Sequence, residues 1–304
     1  MKKYIVIGVC ILILLILINN GKKDAAPTTT ISPAQKEQVT KAYGNDTKIT
    51  IAGYDDDSME PFISKDGQYL FWNSLNDGKH TSLYYAKKVD ATTFQFIGEV
   101  KGVNGQVPHL DGVASMDENN NFYFVSLRDY PKVLENLQHG TFSDGVVSNI
   151  TPVQGDIYKR EAGWLIMDAE VSRDGKSLYY VDAHFNGGSL PVEADIALAH
   201  KEGSTFVKDS KSSALFKNIN TNNAEYAPSV SADGLEILFT RLIGRATSIH
   251  RATRGSISEP FGVPELLPTN GTLPEGATIS TDGTTIYYHK KDGGHYRIFS
   301  MKRM

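Results

Sequence analysis

One short phrase recurs along the chain: Ser64-Lys65-Asp66-Gly67, Ser172-Arg173-Asp174-Gly175, Ser231-Ala232-Asp233-Gly234 and Ser280-Thr281-Asp282-Gly283, each followed by an apolar, aromatic-rich run. A degenerate fifth copy stands at Ser115-Met116-Asp117-Glu118. The aspartates are 51 (66 to 117), 57 (117 to 174), 59 (174 to 233) and 49 (233 to 282) residues apart. A near-regular period of this size marks a repeat architecture, in which each unit buries its apolar faces against the next.

The copy around Ser231 predicts the contents of one unit. Residues 228–231 read as a short strand, 232–235 as a tight turn in which Gly234 takes a positive φ, and 236–241 as a second strand rich in β-formers. Residues 248–254 supply a third strand and the stretch near 261–267 a fourth. Four antiparallel strands per period describe a propeller blade. The runs LFWN (70–73), FYFVS (122–126), LYYVD (178–182) and IYYHK (286–290) are apolar on both faces, as strands packed between blades must be. From residue 48 onward long helical periodicity is lacking, which disfavours an α/β fold.

The last copy has three strands and lacks a fourth, while Lys48 to Ala52 (KITIA) stands alone ahead of the first copy. Pairing this strand with the last blade closes the ring and removes exposed edges. The fold expected is therefore all-β: a five-bladed propeller of four-stranded blades closed by an N-terminal strand, preceded by an N-terminal hydrophobic helix.

The form Pro-x-x-Ser-x-Asp-Gly followed by an apolar run resembles the WD40-like (PD40) repeats of TolB-type propellers, and IHRATRGSISEPFGVPELL resembles their third and fourth strands. The resemblance covers roughly residues 48–303. It implies the fold; that superfamily includes binding propellers, peptidase propeller domains and sugar-acid lyases, so it leaves the activity open.

The N-terminus carries two lysines and then fifteen uncharged residues, Tyr4 to Ile18. As a helix the run is about 22 Å long, short of a ~30 Å hydrocarbon core unless Lys3 and Lys22 snorkel. Residues 1–21 read as a signal-anchor or signal peptide, 22–46 as a flexible Lys/Ala/Pro/Thr/Gln linker and 47–304 as the propeller. Either reading of the leader places the propeller outside the cytoplasm, anchored in the cytoplasmic membrane or secreted. A single cysteine excludes an internal disulfide framework, and a net charge of −4 gives no sign of a nucleic-acid partner.

In this register every repeat delivers a carboxylate just ahead of its inner strand: Glu60, Asp111, Asp168, Glu225 (beside Tyr226) and Glu275, with Asp55, Asp56 and Asp57 slightly upstream. At about 8 Å two such charges repel by roughly 2 kcal/mol in an effective dielectric near 20. Protonation, a bound divalent cation, or the cationic side chains Arg128, Arg160, Arg241 and Lys290 would relieve that strain. The ligand-binding set expected is Asp57, Glu60, Asp111, Asp168, Glu225, Tyr226, Arg241, Glu275 and His289. The plain structural reading of the acids is that they accept backbone N–H bonds and hold their loops.

No His-Glu-x-x-His or Gly-x-Ser-x-Gly element occurs, so zinc peptidases and serine hydrolases lack their signatures. The leading expectation is a non-enzymatic binding or scaffold module that takes a protein or saccharide of the cell envelope at the channel mouth, without a cofactor. The alternative is a carbohydrate-active enzyme. By resemblance to five-bladed family-43-type glycosidases, Glu60 and Asp168 would serve as its acid and base; a TolB-like lyase would instead need a metal site, for which His109, His184 and His289 are the trio.

Overall fold

The computed structural model describes residues 38–105 and 109–304, which form five sheets around a common axis. The leader and the linker as far as residue 37 lie outside the described residues. The only helix among the described residues is the single turn Ser212–Leu215, and none is long and apolar enough to cross a membrane.

Each sheet is a blade whose strands run outward from the axis in sequence order, apart from segments added from earlier in the chain at the outer edges of blades 1, 3 and 5 and, in blade 2, His80–Thr81, which runs parallel to the start of the inner strand. The inner strands of blades 1 to 5 are Met59–Ile63, His109–Met116, Trp164–Val171, Ala224–Val230 and Thr272–Ile279. The second strands are Tyr69–Asn73, Asn121–Ser126, Ser177–His184, Glu236–Ile243 and Thr285–Asp292. Their side chains point alternately into the two inter-blade gaps. In the gap between blades 1 and 2, Phe71 meets Phe122 and Phe142 edge-on at 5.3 and 5.2 Å. Such fully buried rings contribute about 1.5–3 kcal/mol each, so the ring is held mainly by apolar contacts between blades.

Closure follows the expected principle with a shifted strand. Tyr43–Lys48 is the fourth strand of blade 5, antiparallel to His295–Arg303. Of the expected segment only its beginning belongs there, through Lys48 and the bond from Ile49 N–H to Ile298 O. Thr50–Ala52 instead runs parallel to Thr93–Glu99 and covers the outer edge of blade 1. KITIA straddles two blades because the chain crosses from one sheet to the next at Ile49.

The same device recurs. Gln154–Gly155 covers the outer strand of blade 3, Lys101 bridges to Val146 on blade 2, and Val39 bridges to Leu266 on blade 4. Arriving segments thus occupy edges that would otherwise be free to pair with another chain.

The repeated phrase forms the turn that leaves each inner strand. The serine hydroxyl donates to the aspartate Oδ1 at 2.5 to 2.7 Å, and that oxygen also accepts a backbone N–H two residues on. Glycine supplies the left-handed residue, for example Gly67 with φ 71°. Blade 2 corrects the sequence alignment. Its turn is Asp117-Glu118-Asn119-Asn120: Asp117 N–H bonds to Asn121 O as Ser64 N–H bonds to Tyr69 O, and Asn120 takes the glycine's place with φ 63°. Asparagine tolerates that region, so this copy turns without glycine two residues beyond the expected phrase.

Candidate binding site in the central channel

The five acidic residues lie within the inner strands, not in the loops ahead of them. The strands begin earlier than their apolar runs suggest, and each contains a bulge at its midpoint, seen as a register shift between inner and second strands. Counted back from the turn-opening residue (Ser64, Asp117, Ser172, Ser231, Ser280), the bulge residue four places earlier is Glu60, Val113, Asp168, Ala227 and Gly276. Four of these have φ between 50° and 61°, Asp168 being the exception. The acids therefore occupy three registers: four places back in blades 1 and 3, five in blade 5 (Glu275) and six in blades 2 and 4 (Asp111, Glu225).

Register decides what each acid does. Asp111 and Glu225 point to their own blades and are neutralised there. Arg128 donates to Asp111 Oδ1 at 2.8 Å and Gly105 N–H to Oδ2 at 3.0 Å. Arg241 donates to Glu225 Oε1 at 2.7 Å, and Thr221 adds its hydroxyl and N–H. Asp111 and Glu225 are thus each paired with an arginine of their own blade. The other two expected cations are also engaged: Arg160 with Glu135, and Lys290 with Asp46.

Glu60, Asp168 and Glu275 come together at the axis, with no cation among them in the described residues. Burial, then the charges of Asp168 and Glu275, push the Glu60 carboxyl well above its usual range. Burial raises Asp168 to about 7 against the opposing N–H of Ala227. Glu275 also rises to about 7, through burial first, with the Tyr226 hydroxyl opposing. Carboxyls shifted upward in this way hold protons into the neutral range, which lowers the charge gathered at the axis.

Hydrogen bonds tie the same groups to the ring. His289 Nδ1 accepts Glu60 N–H at 2.9 Å, Asn73 Oδ1 accepts Val113 N–H at 3.0 Å, and Thr240 Oγ1 accepts Gly276 N–H at 3.1 Å. Asn73, Thr240 and His289 each stand nine residues after the turn serine of their blade (73 − 64, 240 − 231, 289 − 280). In blade 3 that position is Val181, which cannot accept, and Asp168 Oδ2 takes Ala227 N–H instead at 3.2 Å. Sequence reading missed Asn73 and Thr240; the nine-residue offset was the signal that reveals them.

Glu60 Oε2 accepts from the Asn73 amide and Glu275 Oε2 from the Tyr226 hydroxyl at 2.9 Å. Glu60 Oε1 and Asp168 Oδ1 are buried without hydrogen-bond partners. They border a cavity of about 40 Å³ whose walls are otherwise mostly small residues such as Ala114, Ala169, Ala227 and Gly276. Its wall on the far side includes Glu170, held by Lys65 at 2.7 Å. Toward the mouth a second cavity of about 30 Å³ lies between blades 1 and 2 and shares Glu60 and Val113 with the first.

The three histidines do not assemble. His109 Nδ1 lies 3.0 Å from Asp111 Oδ2, the His184 ring stacks on Trp164 at 4.7 Å, and His289, driven down to about 3 by burial, serves the Glu60 N–H. Among the described residues, only Asp56, Asp57 and His295 bring three ligand atoms within 4.8 Å of one another. Asp57 there already accepts Tyr296 N–H at 2.6 Å, which fastens its loop to blade 5.

A scan against protein-family models finds no match, and neither does a search of curated protein sequences. Among solved structures, a glycoside hydrolase superposes with a TM-score of 0.56 at 9% identity, covering 88% of this chain and 91% of its own. A thermostable family-43 glycoside hydrolase gives 0.50 at 13% identity, covering 84% and 92%. A putative TolB from Agrobacterium tumefaciens gives 0.42 at 17% identity, covering 64% of this chain, which spans 62% of that protein. At these identities the likeness is one of fold: the chain is a five-bladed β-propeller.

Proposed function

We propose that this chain is an extracytoplasmic binding propeller, tethered through its N-terminal apolar run, that engages a protein or saccharide of the cell envelope over the channel-mouth face. The observation that carries this reading is the size and lining of the channel. Ligand-enclosing pockets measure about 300–1,000 Å³, whereas the space beside Glu60 and Asp168 is about 40 Å³. It has room for about three waters, and a sugar ring does not enter it. Two of the five acids are spent on arginines of their own blades. A ligand therefore sits on the mouth, with the channel as an anchoring point beneath it.

The test is capture of envelope components by the full-length chain. Asp55 is on a mouth-face loop and Glu193 opens the strand Glu193–Glu202 at the same face, and Asp55→Lys with Glu193→Lys reverses charge there; Lys176→Glu reverses charge on the opposite face. Loss of the captured component with the first pair alone supports the reading, and equal capture by all variants overturns it.

The protonated carboxyls at the axis favour a second reading, a carbohydrate-active enzyme in which Glu60 and Asp168 act as acid and base. Release of product from an oligosaccharide panel, with and without divalent metals, and its loss in Asp168→Asn, would replace the binding reading with this one.

A further inference from the structure

We infer that the channel receives the side chain of a lysine or arginine presented by a protein partner, with its apolar stem in the outer cavity and its charged tip between Glu60 and Asp168. This rests on the binding reading and names the partner's chemistry. The outer cavity is lined by Met59, Leu110, Val125 and Met167 together with the polar Asn73, Ser74, Asn76, Thr81 and the arginine-paired Asp111. The inner one carries Glu60 Oε1 and Asp168 Oδ1, both buried and without partners. Glu60 and Val113 belong to both cavities, so the apolar side chains of the outer one lead to Glu60 at the junction and to Asp168 beyond it. Lysine and arginine are built in that order, with methylene stems that pack on apolar surface and a charged head that seeks polar partners.

Among the described residues the neighbouring cations are engaged elsewhere. Arg128 holds Asp111, Arg241 holds Glu225, Lys65 holds Glu170 and Lys290 holds Asp46. Asp168 is 1% exposed, and an oxygen so buried with no donor costs free energy that a charge-assisted bond recovers. A single metal ion is the poorer occupant, since Glu60, Asp168 and Glu275 are not among the groups that bring three ligand atoms within 4.8 Å. An ammonium or guanidinium with its several N–H donors spans wider gaps, directly or through a water.

The experiment uses the full-length chain and five probes: N-acetyl-lysine amide, N-acetyl-arginine amide, N-acetyl-norleucine amide, glucosamine and calcium chloride. Binding is followed by calorimetry at pH 8, where the carboxyls ionise most readily. The lysine or arginine probe is expected to bind, norleucine is not, and Asp168→Asn and Glu60→Gln are each expected to weaken binding about tenfold or more. Both substitutions keep an acceptor for Ala227 N–H or the Asn73 amide, and an unchanged unfolding midpoint verifies the fold. Binding of calcium or glucosamine in place of the basic probes overturns the proposal, as does binding that the variants do not alter. If no probe binds while the mouth-face variants still abolish envelope capture, the proposal fails and the binding reading stands; if capture is also indifferent to them, both fail.

Discussion

His289 Nδ1 accepts the backbone N–H of Glu60 at 2.9 Å and so joins the last blade to the first at the axis. The ring nitrogen must be unprotonated to accept, and burial, by holding His289 down to about 3, keeps it so across the physiological range. His289→Leu leaves a buried N–H without a partner, on a residue already held at φ 50°. We expect a loss of about 1–3 kcal/mol in urea unfolding. His289→Asn, which offers an acceptor, should recover part of it; equal losses for both would assign the effect to packing.

The channel carboxyls make stability depend on pH in a stated direction. Asp168 and Glu275 have folded pKa values near 7, above the ~4 of the unfolded chain. The fold thus binds their protons more tightly. Their contribution is complete below pH ~4 and is lost as pH rises to about 7. At about 1.4 kcal/mol per pKa unit, the loss across this window is on the order of several kcal/mol. Unfolding free energy measured from pH 5 to 8 should fall, and the double variant Asp168→Asn, Glu275→Gln should flatten the curve. A wild-type curve that rises over this range contradicts the assignment of protons to the axis.

The two arginine pairs should differ in weight. Arg241 is 8% exposed against a fully buried Glu225, whereas Arg128 is 37% exposed. Arg241→Met strands a buried carboxylate, for an expected cost of about 3–5 kcal/mol. Arg128→Met leaves Asp111 nearer to water and should cost clearly less. Thermal denaturation of the two variants side by side decides the order.

The repeat phrase made the number of blades, their strand order and the need for closure legible, because each turn must be built from residues whose side chains bond locally. Closure was misplaced by a few residues because strand-forming composition does not say which of two sheets a strand joins at Ile49. The site was half legible. That the acids gather near the axis with Arg128 and Arg241 among the cations close by was visible; which acid each arginine takes was not, since a change of register turns a side chain from the channel toward its own blade. Asp168 illustrates the limit: its tie to Ala227 exists because blade 3 has Val181 where other blades have an acceptor, a fact with meaning only once blades are neighbours in space.

Gly276 stands at φ 61°, and an added Cβ would lie 3.0 Å from Glu60 Cα. Gly276→Ala therefore meets the backbone of blade 1, and the expected loss is about 1–3 kcal/mol. The same substitution at Gly283, which also has positive φ but open space around it, should cost less. Denaturant titration of both separates crowding from backbone strain.

The strand Tyr43–Lys48 pairs with His295–Arg303, so its partner is the last strand of the ring to be made. Until then the first-made strand of the ring waits while about 250 residues are synthesised, roughly 10–50 seconds at ordinary elongation rates. For that interval it is an unpaired β-segment in a crowded compartment, and its composition suits the delay: Gly44, Asn45, Asp46 and Lys48 are poor templates for aggregation. The composition of the closing strand thus serves its solubility while it waits as well as its fit to the blade.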